Sequence, residues 1–384
     1  MIKNFINSIL CFIYRNGRLL PDSLYGVIGL FNLKEFKENI DIHNEVLISS
    51  ESGIWLISNQ KKIKKIFGCY SFGLALENDR LYMSISSNRR SDVISMKLKK
   101  NNLLGKPVLH FSQKALYHNE KIHQISVSKN HIYIANTCSN SITILNNKKN
   151  IKKKNINIYP FLDITGYPIS RDHNHINSIQ TLKDGIIFLA HNGGNIGSII
   201  GLVHSNVCRL YQYKNRGCHD IILDIDQLIF SDSFGKPKID VKGMKKYGSV
   251  YCNQKLFSQD SYFTRGLYLG KDFNIVGSSF HGKRDVRFKG KGEIVLTNKE
   301  FTPINRIKLP FSQVHDIIGI KGERQFKLNN SLETSSSQAD TMLRKYLGEP
   351  IYEDKYYTEL VEGNNKMFLP LDNTYEDLIS ELNL

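Results

Sequence analysis

The chain has 384 residues, 41% of them hydrophobic and 10% aromatic, with a formal net charge of +16. That length and composition support one large all-β domain or two ordinary ones with a real core, and exclude a disordered chain. The positive charge is spread as single lysines and short runs such as Lys148-Lys149 and Lys152-Lys153-Lys154 between apolar segments, which reads as solvated loops. Specific nucleic-acid binding, which needs a concentrated basic patch with stacking aromatics, is not indicated.

In chain order, Phe5–Tyr14 is apolar but short, contains Asn7, and is followed by Arg15 and Arg18 with no small-residue cleavage site. Neither a signal peptide nor a spanning helix is expected from it. It predicts a helical extension over 1–40 that packs on the domain, with peripheral membrane contact as the alternative. The six cysteines form no CxxC spacing, so a reduced, cytoplasmic protein without a disulfide framework is expected.

From about residue 71 one pattern recurs: a short strand, a polar turn and a second strand. Examples are Ser71–Leu76 with Arg80–Ile85, Ile122–Val127 with His131–Ala135, and Asn174–Ile179 with Gly185–Ala190. Later come Cys218–Leu223 with Gln227–Ser231 and Thr264–Leu269 with Phe273–Gly277; Val314–Ile320 stands last. Turns such as Glu77-Asn78-Asp79 and Lys183-Asp184-Gly185 carry hairpin chemistry. Aligning the units by eye places Gly73, His123, His175, His219, Arg265 and His315 at one register, separated by 50, 52, 44, 46 and 50 residues. A period of that size with several strands per unit predicts a β-propeller.

Six anchors predict six blades over 41–322, or five or seven if one unit is miscounted. The last anchor lacks partner strands downstream. Glu45–Ser50 and Gly53–Ser58 supply them, so the N- and C-terminal strands share the closing blade and no sheet edge is left bare. The fold class expected is thus all-β, a six-bladed β-propeller with short helical or irregular terminal extensions. Residues 323–384 hold twelve acidic and six basic residues. This acidic tail is expected to start as a linker over 329–338, to form a short helix over 339–347, and either to pack on the basic domain or to engage a protein partner.

First strands of propeller blades line a central channel, so residues at one register converge there. Four histidines and an arginine at six equivalent positions point to a site. His123, His175, His219 and His315 form a candidate ligand set for a divalent ion, iron or zinc. Asp220 and Asp316 follow two of them, and Asp172 and Asn177 flank a third, as orienting neighbours. Arg265 suits an anion clamp. His219, His315 and Arg265 are the candidate catalytic residues, whether the ion acts as a Lewis acid in a lyase, isomerase or hydrolase reaction or a histidine acts without metal as base or nucleophile. His173, His191 and His281 are placed near the channel mouth, with surface loop as the plainer reading. The expected partner is an anionic, sugar-linked small molecule; a non-catalytic scaffold is the remaining class.

The segments "IHQISV", "HNHINSI", "CHDI", "FTRGLYL" and "VHDII" resemble those of a little-characterised bacterial six-bladed propeller family whose members often lie near glycan-assembly genes. The resemblance spans about residues 45–320 and implies the fold. "HINSI" and "CHDI…LIFSDSF" also look like aryl sulfate sulfotransferases, six-bladed propellers in which a channel histidine is transiently sulfated. That resemblance implies binding roles for His175 and His219 and, more loosely, matches Arg265 and His315 to that family's arginine and nucleophilic histidine. The chain departs from it in showing no clear export signal, in lacking that family's paired cysteines and in its later spacing. Propeller lyases with metal-holding channel histidines are a third comparison, on architecture alone.

Overall fold

The structure is a computed structural model. It describes residues 35–37, 45–58, 62–86, 90–99, 104–114, 121–128, 130–147, 154–169, 173–191, 197–215, 217–224, 226–233, 238–240, 243–245, 249–252, 255–258, 263–279, 289–320, 334–362 and 365–383. The apolar stretch 5–14 and most of the expected N-terminal extension lie outside these residues.

Six antiparallel sheets, each with four principal strands, form a six-bladed β-propeller, and a separate two-stranded hairpin, Lys238–Asp240 with Gly243–Lys245, falls between the second and third strands of blade 4. Blade 1 is Ser71–Glu77, Arg80–Ser86, Arg90–Leu98 and Leu104–Lys114. Blade 2 is Ile122–Ser128, His131–Asn136, Ser141–Asn146 and Lys154–Tyr159. Blade 3 is Ile176–Thr181, Gly185–Ala190, Ser198–His204 and Val207–Tyr213. Blade 4 is Cys218–Asp224, Gln227–Asp232, Ser249–Cys252 and Lys255–Ser258, and blade 5 is Phe263–Leu269, Asn274–Ser279, Glu293–Thr297 and Pro303–Lys308. Blade 6 takes its first strand, Val314–Gly319, from the C-terminal side of the repeats. The other three, Val46–Ser50, Gly53–Ser58 and Lys62–Phe67, come from the N-terminal side. Val46 pairs with Gly319 and Ser49 with Asp316, as the shared closing blade requires. Residues Glu35–Lys37 add a fifth strand to it.

The second strand of blade 3 reads as an unbroken apolar run. In Gly185–Ala190 all six residues are buried, because a middle strand is covered on both faces of its sheet and has no solvent side to mark with polar residues. Gly201 shows how close that packing is: a Cβ there would meet the Phe188 ring at 2.0 Å.

The chain divides into two compact units, Met1–Ile122 with Arg265–Gln325, and His123–Thr264 with Phe326–Leu384. Each contains three blades, 5, 6 and 1 in the first and 2, 3 and 4 in the second. In the first unit, apolar clusters pack blade 5 on blade 6 through Trp55, Ile275, Phe311 and Val314, and blade 6 on blade 1 through Leu47, Phe67, Met83 and Ile94. In the second, Ile144, Ile158 and Phe188 pack blade 2 on blade 3, and Leu189, Tyr211, Leu223 and Phe230 pack blade 3 on blade 4.

The C-terminal segment docks on the second unit. Helix α1, Ser336–Leu347, begins at a capping box in which Ser335 accepts from the Gln338 amide, and it ends at Gly348. The expected linker over 329–338 therefore ends earlier than predicted: Ser335 to Gln338 are the cap and first turn, and residues 329–333 lie outside the described set. Tyr352–Lys355 then extends blade 3 beside Val207–Leu210. Tyr357–Glu362 and Asn365–Phe368 extend blade 2. Helix α2, Tyr375–Asn383, buries Leu378 and Leu382 against blades 2 and 3.

Candidate functional site

A repeated hydrogen bond fixes which residues of the first strands are equivalent. Fourteen residues beyond an anchor, a hydroxyl donates to the carbonyl that precedes the next anchor. Thr137, fourteen beyond His123, donates to Ile176. Ser233, fourteen beyond His219, donates to Thr264. Ser279 stands in the same relation to Arg265 and donates to Val314. The residue after an anchor sends a second bond onward: Gln124 accepts from the Ile179 amide, Ser178 from Ile221, and Asp316 from Leu74.

These bonds place Phe72, His123, Asn177, His219, Arg265 and His315 at one register. Two of the aligned positions shift: Phe72 takes the place assigned to Gly73, and Asn177 the place assigned to His175. The cause is the bulge in each strand. Pairing slips between Ser71 and Leu74, between Ile176 and Ser178, between His219 and Ile222, and opposite His315. In blade 3 the bulge leaves Asn177 as the extra residue between Ile176 and Ser178, and in blade 1 it sets Phe72 and Gly73 opposite a single residue. Asp220 (φ 56°) and Gly266 (φ 85°) supply left-handed backbone just after their anchors, a conformation that costs an ordinary side chain about 1–3 kcal/mol.

In the second unit the imidazoles stand in a row. The His123 and His175 centroids are 4.7 Å apart, His175 and His191 5.0 Å, and His191 and His219 5.2 Å, with Phe263 a further 5.5 Å from His219. His123 and His219 are buried; His175, at φ 61°, and His191 are half-buried. His191 lies fourteen residues beyond Asn177, in the place that Thr137 and Ser233 hold in blades 2 and 4, which is why it enters the row.

The hydrogen bonds also set the ring tautomers. Thr137 spends its proton on the Ile176 carbonyl at 2.5 Å, so its oxygen accepts from His123 Nδ1–H at 2.8 Å. His219 Nδ1 lies 2.9 Å from the Gly217 carbonyl and 2.8 Å from Ser233 Oγ, whose own proton goes to Thr264. A carbonyl only accepts, so Nδ1 carries a hydrogen, and Nε2 is the nitrogen that holds the lone pair whenever the ring is neutral.

In the first unit His315 follows the same rule, donating from Nδ1 to the Ser71 carbonyl at 2.7 Å. Its ring stacks on Phe72 at 4.4 Å and lies 5.3 Å from Tyr70. Two cations lie against the same aromatic pair: Arg265, 5.1 Å from the Phe72 centroid, and Lys121, 4.0 Å from Tyr70 and 5.7 Å from Phe72. The expected carboxylate neighbours act elsewhere. Asp316 takes the Leu74 and Ile317 amides, and Asp220 takes the Ser231 hydroxyl. Backbone carbonyls and hydroxyls meet the rings at Nδ1, while Asp316 accepts from backbone amides and Asp220 from a serine hydroxyl.

Of the remaining candidates, His173 is exposed, and Asp172 and His281 lie outside the described residues. Asn177 is buried and donates through Nδ2 to the Cys218 carbonyl at 2.9 Å. Three of the four expected metal ligands, His123, His175 and His219, belong to one unit and His315 to the other. Among the described residues no group of three or more His, Cys, Asp or Glu is arranged to hold a metal ion. Cys208 and Cys218 are buried free thiols, and no described helix is long and apolar enough to cross a membrane.

The residues that sequence reasoning missed are Tyr70, Phe72, Lys121 and the hydroxyls Thr137, Ser233 and Ser279. The fourteen-residue offset from anchor to hydroxyl was a readable signal for the last three.

The fold and these clusters define a class: a six-bladed propeller with histidines on the first strands of its blades. No protein-family model matches the chain, and no curated protein sequence matches it. Among solved structures it is similar to a chain of a nidogen/laminin complex, at 11% identity and TM-score 0.49, covering 71% of this chain and 97% of that one. It is also similar to the PQQ-bound aldose sugar dehydrogenase of Streptomyces coelicolor, at 12% identity and TM-score 0.40, covering 70% and 98%. A third is apo AztD of Citrobacter koseri, at 9% identity and TM-score 0.36, covering 73% and 98%. The fold assignment rests on the chain's own six sheets.

Proposed function

We propose that the protein is an enzyme acting on an anionic small molecule, with an imidazole Nε2 as proton acceptor or nucleophile. The observation that carries this reading is the setting of His315. Its Nδ1–H is committed to Ser71, and Arg265 and Lys121 lie against the aromatic pair it stacks on. An imidazole beside fixed positive charge suits a substrate that is held by its anion and then deprotonated or attacked. The cations bind and the ring does the chemistry. His219, with the same tautomer, is the matching group of the second unit.

The test is a titration with inorganic sulfate, inorganic phosphate and small carboxylates, followed by calorimetry. Arg265→Gln is expected to weaken the preferred anion at least tenfold, about 1.4 kcal/mol. His315→Gln is expected to leave anion affinity within a few-fold and to remove turnover of any substrate found. A wild-type protein with no saturable anion binding would sink the reading.

A second reading, iron or zinc on His123, His175 and His219, draws support from the same tautomers, since metal-ligating histidines characteristically donate from the other ring nitrogen. In this arrangement the rings would have to turn to share one ion. Elemental analysis of tag-free protein beside a His175→Ala/His219→Ala variant decides it. About one ion per chain, lost in the variant, is the result this reading requires.

A further inference from the structure

We infer that the outer strand of blade 2, Asn365–Phe368, is an interface through which two copies of this chain pair edge to edge. The strand ends a six-stranded sheet, and among the described residues no strand pairs with its outer side. Leu369 donates inward to the Thr358 carbonyl. Inward and outward residues alternate along an antiparallel strand, so Lys366 and Phe368 turn their N–H and C=O groups to the open side. Such a row is a template for a further strand, and proteins guard it with proline or charge. The outer strands of blades 1, 3 and 5 are guarded in this way, by Pro107, by Glu353, Asp354 and Lys355, and by Pro303. Asn365–Phe368 has no proline, and its one charge, Lys366, is tied within the sheet to Glu359 at 3.2 Å.

The surface beside this edge is apolar. Of the seven large hydrophobics exposed among the described residues, five lie in two segments: Ile164 and Tyr167 in one, Met367, Phe368 and Leu371 in the other. Tyr357 joins the segments, its ring centroid 6.4 Å from that of Tyr167 and 6.0 Å from that of Phe368. The turn that carries Ile164 is hydrogen-bonded throughout. The Asp163 carboxylate accepts from the Thr165 amide and hydroxyl and from the Tyr167 amide, and the Asp163 amide donates to the Tyr167 carbonyl. A contiguous, preorganised apolar patch marks an interaction surface. The edge says what covers it. Lys366 and Phe368 lie symmetrically about Met367, so a second copy turned antiparallel about that residue sets Lys366 of each chain opposite Phe368 of the other. Both pairs then exchange backbone bonds. Met367 faces Met367 of the second copy, each ammonium comes beside a ring, and no like charges stand opposed. A bilayer would cover the rings but leave the outward N–H and C=O groups unpaired. The interface is independent of the anion reading, whose residues lie in the other unit.

The experiment is sedimentation equilibrium of the full, tag-free chain over a concentration series. The mass is expected to rise from that of one chain toward twice it. Met367→Lys and Met367→Glu, at an exposed position, should each weaken association about tenfold or more with the melting temperature held. Mixing the two should restore it, because position 367 meets itself and opposite charges directly across a strand pair attract. Ile304→Lys, exposed on the outer strand of blade 5, should change nothing. Met367→Cys should give a disulfide-linked dimer under mild oxidation, since facing residues of a pair without backbone bonds lie within disulfide reach. If the charged variants do not fold, the wild-type series and the Met367→Cys cross-link decide. A monomer at every concentration up to about 100 µM overturns the inference. So does a dimer indifferent to both charges at 367, or a chain that stays monomeric and binds phosphatidylcholine–phosphatidylserine vesicles through this patch.

Discussion

A histidine works through whichever ring nitrogen holds the lone pair, and in this protein that choice is made by neighbours that do no chemistry. Thr137 is the clearest case, because one hydroxyl orients His123 and ties down the Ile176 carbonyl of the next blade. Thr137→Val keeps the shape and removes both bonds. It is expected to cost about 1–3 kcal/mol, as a broken buried bond does, and to give His123 a mixture of tautomers in its ¹⁵N spectrum. Thr137→Ser should restore both. An unchanged spectrum in Thr137→Val would mean that another group sets the ring. The histidines themselves were legible as a recurring letter at a recurring spacing. Their tautomers were not, because the partners are backbone carbonyls and a hydroxyl fourteen residues away, which no local pattern announces.

At the scale of elements, the C-terminal segment is held by a cap, an ion-pair network and three strands added to blades 2 and 3. Ser335→Ala removes the cap of α1 and should cost about 1 kcal/mol, seen as faster amide exchange over 336–347. Asp340 joins α1 to blade 3 through Tyr211 and Arg209, and braces the helix through Arg344. Burial pushes its carboxyl up, but the Tyr211 hydroxyl, Arg344 and Arg209 outweigh that and hold it below its ordinary 3.8. A carboxyl lowered on folding stabilises fully above its unfolded value, and the contribution is lost as pH falls through the folded one. Docking of 334–347 should therefore loosen below about pH 3.8, and Asp340→Asn should be looser at neutral pH and lack that acid step. Limited proteolysis across pH 2.5–7 reads both.

The helix was expected from its apolar spacing and Gly348, and its start was missed. Ser335-Ser336-Ser337-Gln338 looks like a polar linker in composition, yet serine three residues before glutamine is a capping box. The edge strands Tyr352–Lys355 and Asn365–Phe368 escaped notice because an edge strand with charged residues on its open side has little alternation to read.

At the scale of the molecule, the closing blade joins strands from the two ends of the repeat array. Glu51 fastens it at the turn between two strands, accepting from the Ser312 amide and hydroxyl and from the Gln313 amide. Trp55, 1% exposed, fills the core between blades 5 and 6 beside Phe311, 5.1 Å away. Glu51→Ala should cost about 1–3 kcal/mol and Trp55→Ala about 3–5 kcal/mol, both read by denaturant unfolding. If Glu51→Ala leaves the midpoint unmoved, the turn closes without it. The borrowed blade was foreseen, because an anchor without downstream strands and two strands without an anchor can complete each other.

The sequence by itself determined that this chain is a propeller of six blades closed by strands from both ends. Repetition makes that legible: a supersecondary unit that cannot bury its faces alone must recur, and the recurrence can be counted. Only the tertiary structure decided which residues share a level. A bulge inserts an extra residue that the apolar pattern does not announce, and Phe72 stands where Gly73 was expected and Asn177 where His175 was. The same holds for the imidazole row, in which His191 stands because a second strand delivers it beside a first. Which side chains meet depends on packing across strands far apart in the chain, and a sequence records that only where it repeats.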